Sequence, residues 1–366
     1  MIDLSTPLSG TVRAAVTFDW GDEINLEHAR QLAPSQFYSL ARRPRTPSSI
    51  AYRPAPLRFH LPKATLSLAS LGEIEVDAEA TVFDFAAVSV ALHIPFRLSA
   101  GELTRLAGSL SEAEPIVQAA RRACDSLYRH LLPAIQTPAW SELSEEYFVF
   151  VLPPDDSLPS PAELVRESGG WLASLVRLEP DALSDEEIAE SLRLRLSYSP
   201  KDLLILEWSA ALLIDRDCEE TLQTVEFANL QLLEFRHTDT RIDDQLASAY
   251  SLVHSPKGIW SPFWRTHVQP LRDLGDLKID ANSVVERTSN VLKLMGDQYL
   301  ARTYRLLAEK FHLEQWAQSI HRSLQVAESV YQVLSDQAAR YRTELLEVTV
   351  IVLIAIEIAT AWLRHN

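Results

Sequence analysis

Glu73-Ile74-Glu75-Val76-Asp77-Ala78-Glu79-Ala80-Thr81-Val82 is the stretch on which the fold class turns. Its acids and its apolar residues alternate at period two. In an extended chain, that places every carboxylate on one face and every aliphatic group on the other, the pattern of a half-buried strand. Just downstream, Val88, Val90, Leu92, Ile94 and Phe96 repeat the alternation and predict a second strand beside the first.

Toward the N-terminus, residues 12–20 read as a strand, followed by a short helix over about 25–33 that Pro34 stops. Toward the C-terminus, Ser99-Ala100-Gly101-Glu102 is a capping box that opens a helix. Tyr147–Leu152 reads as another strand. Ser160-Pro161-Ala162-Glu163 is a second capping box, with Pro at the first helical position. The apolar run Leu203–Ile214 fits either a buried strand or the start of a helix. Residues 1–215 are therefore expected to form an α+β head, with a subdomain break near 136–146.

Between the first helix and the alternating strand, Arg42, Arg43, Arg45, Arg53, Arg58 and Lys63 follow one another with no intervening acid. Two readings stand. The segment is an anion-facing loop for RNA or anionic lipid, or a solvated loop whose arginines pair with acids elsewhere.

Beyond 215 the character changes. Over 217–253, heptad positions a fall at Val225, Leu232, Asp239, Leu246 and Val253, and d at Ala228, Phe235, Ile242 and Ala249. That seam calls for a partner helix, and Asp239 within it is a candidate for fixing register. Pro256, Gly258 and Pro262 interrupt the pattern. From Leu313 the series Ala317, Ile320, Leu324, Ala327, Tyr331, Leu334 and Ala338 restores it, and spacing alone suits an oligomer and an intramolecular hairpin equally. Residues 216–343 are thus expected to be long antiparallel helices, a coiled-coil hairpin.

The last segment, 344–366, holds Leu345–Leu363, nineteen mostly apolar residues that reach about 28 Å as a helix, close to a bilayer's hydrocarbon thickness. Arg340, Arg342, Arg364 and Trp362 stand where interfacial anchors belong. Glu347 and Glu357 oppose insertion, each costing a few kcal/mol at the centre of a bilayer. The two expectations are a transmembrane helix and the core of a soluble oligomer, with both acids facing neighbouring subunits.

Three segments resemble the widespread "required for meiotic nuclear division" family, which includes the sporulation-interfering Sif proteins. They are Gly72–Asp77 with Ala80–Ala91, Gly275–Asp280 with Leu294–Arg302, and Leu345–Glu347 with Leu353–Ile358. Ala86-Ala87 stands near the family's expected Gly. The resemblance implies a membrane-associated homo-oligomer, set in a bacterial cytoplasmic membrane with its head facing the cytoplasm.

Composition narrows the function. A net charge of −16 argues against a duplex-DNA binder, which needs a basic face. Only 10 glycines in 366 residues suit a largely helical chain. Cys124 and Cys218 form no metal or redox motif and are expected to be free thiols in a reducing compartment. The N-terminus has no basic, apolar leader, so the chain is expected to begin in the cytoplasm. No phosphate-loop, dinucleotide, serine-elbow or zinc-protease motif occurs. His237 with Asp244, two turns apart on one helix face, offers either a pair of ligands for a cation or a solvated helix face. The expected function is a membrane-anchored homo-oligomeric scaffold or tether, with no catalytic activity, cofactor or metal and with a protein or ribonucleoprotein partner. The alternative is a CorA-type divalent-cation channel subunit, although that architecture uses two membrane helices and a Gly-Met-Asn loop.

Overall fold

The alternating segments become long strands. In the computed structural model, which describes residues 7–33, 54–154, 159–253, 275, 281, 284 and 297–365, the expected strand over 12–20 is β1 (Leu8–Asp19). A two-residue β2 (Glu23–Ile24) and the short helix α1 (Leu26–Leu32) follow it. Next come β3 (Leu57–Leu68), β4 (Gly72–Val82) and β5 (Ala87–Leu98), an antiparallel meander. Ser99 and Ser160 cap α2 (Ala100–Leu110) and α4 (Pro161–Glu167) through complete capping boxes, as their sequences predict. Around them lie α3 (Glu114–Leu131), β6 (Ile135–Gln136), β7 (Ser144–Leu152), α5 (Gly169–Arg177) and α6 (Asp185–Ser191). The apolar run resolves into strands: β8 (Arg195–Leu196), β9 (Leu203–Leu206) and β10 (Ala210–Ile214).

One sheet of eight strands results, in the order β3-β4-β5-β1-β7-β10-β9-β8. β7 and β10 run parallel, and the other neighbours run antiparallel. The fold is therefore mixed α/β, which corrects the expected α+β head with a coiled-coil hairpin. A parallel pair needs a long crossover, and here the crossover from β7 to β10 carries α4, α5 and α6.

One face of the sheet is the main core. Val12, Val16 and Phe18 of β1, Val90 and Leu92 of β5, and Phe148 and Phe150 of β7 are buried there with α2, α3 and α5. The sheet's edges are not open templates. β8 has two residues, and β3 carries a bulge between Leu61 and Ala64, where Pro62 and Lys63 sit. The turn between β4 and β5 puts Ala86 at φ 60, the left-handed conformation that glycine adopts at least cost.

The second face explains why the heptad reading fails. It is met by α7 (Glu219–Val253), whose residues 224–233 are buried without interruption. A coiled-coil seam buries one stripe, whereas this part of α7 is enclosed by the sheet and by α8 (Gln298–Lys310). Asn229 of α7 donates to the Glu145 carbonyl at 3.2 Å, and Tyr304 of α8 donates to Gln231 at 2.6 Å.

The final helix, α9 (Leu313–His365), runs 53 residues without a break, since it contains no Gly or Pro. Residues 344–366 do not form a separate apolar helix, contrary to expectation; through His365 they continue α9. The chain divides into two compact units, residues 1–235 with 287–314, and residues 236–286 with 315–366. In the second unit α9 buries Ile320, Leu324, Ala327 and Val330, a one-sided stripe.

Candidate functional site

Ligands of open α/β sheets commonly sit beyond the carboxyl ends of parallel strands. At that end of β10, the loop leading into α7 borders a cleft of about 520 Å³ lined in part by Tyr198, Lys201, Asp202, Asp215, Asp217 and Tyr299. Asp202, Asp215 and Asp297 at this cleft are already engaged. Asp202 accepts from the backbone N–H groups of Tyr198, at 2.7 Å, and of Ser199. Asp215 accepts from Asp217 N–H at 3.2 Å. Asp297 caps α8, accepting from Tyr299 and Leu300 N–H at 2.7 and 3.1 Å. Glu219 and Glu220 fill the first turn of α7. The chain's own carboxylates thus occupy the positive helix ends that would otherwise draw an anion. Burial, assisted by Asp202 and Asp215, pushes the Tyr299 hydroxyl up to about 12, out of range for proton transfer near neutral pH. Among the described residues no group of three His, Cys, Asp or Glu side chains is placed to hold a metal ion.

A second cluster lies between α7 and the sheet. Arg13 of β1 and Glu226 of α7 are 5% and 3% exposed and meet at 3.1 Å. Arg58 of β3 meets Glu219 at 2.7 Å, and Arg13 stands 3.9 Å from the same carboxylate. Burial works to lower the Arg58 pKa, but the attraction of Glu226 and the hydrogen bond to Glu219 outweigh it, and the value rises. For Glu219, burial works upward and is outweighed by Arg58, Gln223 and Arg13, so the carboxyl lies below its ordinary value. On the neighbouring strand, the His93 hydrogen bond overcomes burial and lowers Glu79. Two cations matched to two carboxylates bind helix to sheet.

Glu207, at the turn between β9 and β10, is 1% exposed. It pairs with Arg177 of α5 at 3.0 Å and with the ammonium of Lys310 of α8. Its backbone carbonyl accepts from the Tyr147 hydroxyl at 2.8 Å. This trio fastens α5, the hairpin and α8 together. Sequence reading passed over Arg13, Glu207 and Glu226. The available signal was a charge inside an apolar run, since a buried charge demands a partner.

Of the arginines proposed to face an anion, Arg58 is engaged with Glu219, while Arg42, Arg43, Arg45 and Arg53 lie outside the described residues. Asp239 is half-buried on α7, and burial together with Asp243 raises its carboxyl. Glu347 and Glu357 are exposed on α9, among Leu346, Val348, Val350, Ile351, Val352, Leu353, Ile354, Ile356 and Ile358, each 50–67% exposed. Consecutive residues from Val350 to Ile354 point to every side of the helix, so the exposed apolar surface runs all round it.

Among the described residues no helix is long and apolar enough to cross a membrane. That finding overturns the expected transmembrane anchor, and with it the membrane-anchored scaffold and the channel subunit. Cys124, buried, and Cys218, half-buried, are both free. Burial raises each thiol above its ordinary value.

A family model described as "Uncharacterized protein MJ0711, N-terminal domain" matches residues 9–220. Uncharacterized protein MJ0711 of Methanocaldococcus jannaschii is 26% identical over 204 residues, 55% of this chain. The match covers 62% of that relative's length. The solved structure of the full-length CmaX protein is 16% identical, matching 58% of this chain and 73% of that one at a TM-score of 0.27.

Proposed function

Because the chain belongs, through residues 9–220, to the family of the MJ0711 N-terminal domain, whose description carries no activity, we propose a function from its own residues: a self-associating protein without catalytic chemistry. The observation that carries it is the exposed apolar stretch Leu346–Ile358 of α9. Its nine large side chains leave on the order of 900 Å² of apolar surface to water, comparable to the ~800 Å² per partner of a standard interface. A helix apolar on every side belongs in the interior of a bundle. One flat partner would cover only one side, whereas several copies of the same helix around an axis cover each helix on the sides that face the axis and its two neighbours.

The first unit supports the non-catalytic half of the reading. Its cleft acids serve as caps and turn acceptors, and its buried arginine and glutamate side chains neutralise one another. The test is sedimentation equilibrium of the full chain beside a chain ending at Thr343. The full chain is expected to form a discrete oligomer at micromolar concentration and the shortened chain a monomer. A monomeric full chain overturns the proposal, as does one that binds phospholipid vesicles in preference to itself.

A further inference from the structure

The cleft beyond the carboxyl end of β10 carries a charge balance unlike the rest of the first unit. Elsewhere the buried carboxylates Glu207 and Glu226 meet arginine or lysine. Around this cleft Asp202, Asp215, Asp217, Glu220 and Asp297 stand against Lys201 and Arg216. Among the described residues neither Lys201 nor Arg216 forms an ion pair with any of them. Asp215 and Asp297 accept their backbone N–H groups through Oδ1 alone, which holds each carboxylate in place and leaves Oδ2 open. Asp217 is exposed, and among the described residues nothing donates to its side chain.

Two further observations point to a ligand. Thr221, 3% exposed, lines the cleft, and among the described residues its hydroxyl has no hydrogen-bond partner. Tyr198, 84% exposed, stands edge-on to Tyr299 at 6.0 Å between ring centroids and leaves a ring face bare. Such a face attracts a cation. The cleft's volume, about 520 Å³, falls within the roughly 300–1,000 Å³ of small-molecule sites.

The chemistry of the ligand follows by exclusion. An anion is turned away by the carboxylates at both helix ends. A single metal ion does not fit, because among the described residues no three ligands converge on one point. The excess negative charge is spread along the cleft beside aromatic carbon, which suits an extended organic cation with more than one charged group. We propose that this cleft binds a linear alkyl polyamine, with its ammonium groups on the aspartates and the Thr221 hydroxyl and its methylene chain against the tyrosine rings. The site is independent of self-association through α9.

Isothermal titration of the full chain with spermidine, in about 0.15 M sodium chloride, tests this. One site per chain is expected, and magnesium chloride at equal ionic strength is expected not to displace the ligand. Tyr198→Ala is expected to weaken binding about three- to thirtyfold, whereas Tyr198→Phe, which keeps the ring, retains it. Asp217→Asn, at an exposed and unpaired side chain, is expected to weaken binding by about fivefold. No binding overturns the proposal. So does equal displacement by magnesium, since the polyamine then belongs to the counterion atmosphere of a chain of charge −16. Unchanged affinity in either Tyr198→Ala or Asp217→Asn also overturns it, because the polyamine then sits elsewhere. An oligolysine peptide that binds more tightly than spermidine would assign the cleft to a protein's side chains instead.

Discussion

The Arg13 guanidinium and the Glu226 carboxylate, 213 residues apart in sequence, meet at 3.1 Å in the layer between the sheet and α7. Both charges are almost fully withdrawn from water, so each depends on the other. Removing one side, by Glu226→Ala or Arg13→Ala, is expected to cost about 3–5 kcal/mol, because the remaining charge stays buried without its closest partner, Arg13 keeping only the 3.9 Å contact to Glu219. Replacing both with apolar residues of similar volume, Arg13→Met with Glu226→Leu, is expected to restore most of the loss. Urea unfolding of the four proteins measures it, and a loss in the double substitution equal to the sum of the two single losses would show that the pair is not coupled.

Acid should loosen the same layer from its exposed end. Glu219 and Glu79 both have folded values below the 4.5 of a free carboxyl. A depressed folded value contributes stability above the unfolded value, and that contribution disappears as the pH falls through the folded one. Stability is thus expected to decline below about pH 4.5. Glu219→Gln should lower stability at neutral pH and flatten the decline, a difference readable from urea midpoints taken between neutral pH and pH 3. Because Glu219 is half exposed, the effect should shrink in high salt.

Glu207 sets a different balance, one carboxylate between two cations. Glu207→Ala leaves Arg177 and Lys310 facing each other and is expected to cost about 3–5 kcal/mol. Lys310→Met leaves the Arg177 pair intact and should cost less, about 1–3 kcal/mol. Denaturant unfolding ranks the two, and the reverse order would show that Lys310, not Arg177, is the main partner.

Gly10 is a packing prediction. A Cβ at this position of β1 would fall on the Val151 carbonyl oxygen and the Phe96 ring. Gly10→Ala is therefore expected to destabilise by about 1–3 kcal/mol, through displacement of backbone as well as side chain. A neutral effect in thermal unfolding would mean that β1 and β7 can part locally at no cost.

Local signals were legible and pairings across distance were not. The period-two runs of β4 and β5 and the serine caps of α2 and α4 were visible because each depends on residues within a few positions of one another. The parallel pairing of β7 with β10 joins residues about sixty positions apart, and nothing near Phe148 announces Ala210 as its neighbour. The heptad reading of α7 found its apolar residues and assigned them the wrong partner. Periodicity reports which positions avoid water; whether a helix or a sheet supplies the cover lies beyond it. Burial of Glu226, Asn229 and Gln231 in α7 was hidden for the same reason, since their partners Arg13, Glu145 and Tyr304 come from other elements. At the site, Glu347 and Glu357 were recognised from sequence as acids in an apolar helix, and the structure adds that their apolar neighbours face water on every side.

The bulge and Pro62 in β3, with the two-residue β8 at the opposite border, have a bearing on crowding. At high concentration, an unguarded strand at either border would let one molecule's sheet continue into the next. Proline offers no N–H for such a junction, the bulge bends the strand away, and Lys63, 3.6 Å from Asp77, keeps the border charged. Copies brought close together by any contact are thereby kept from continuing one sheet into the next.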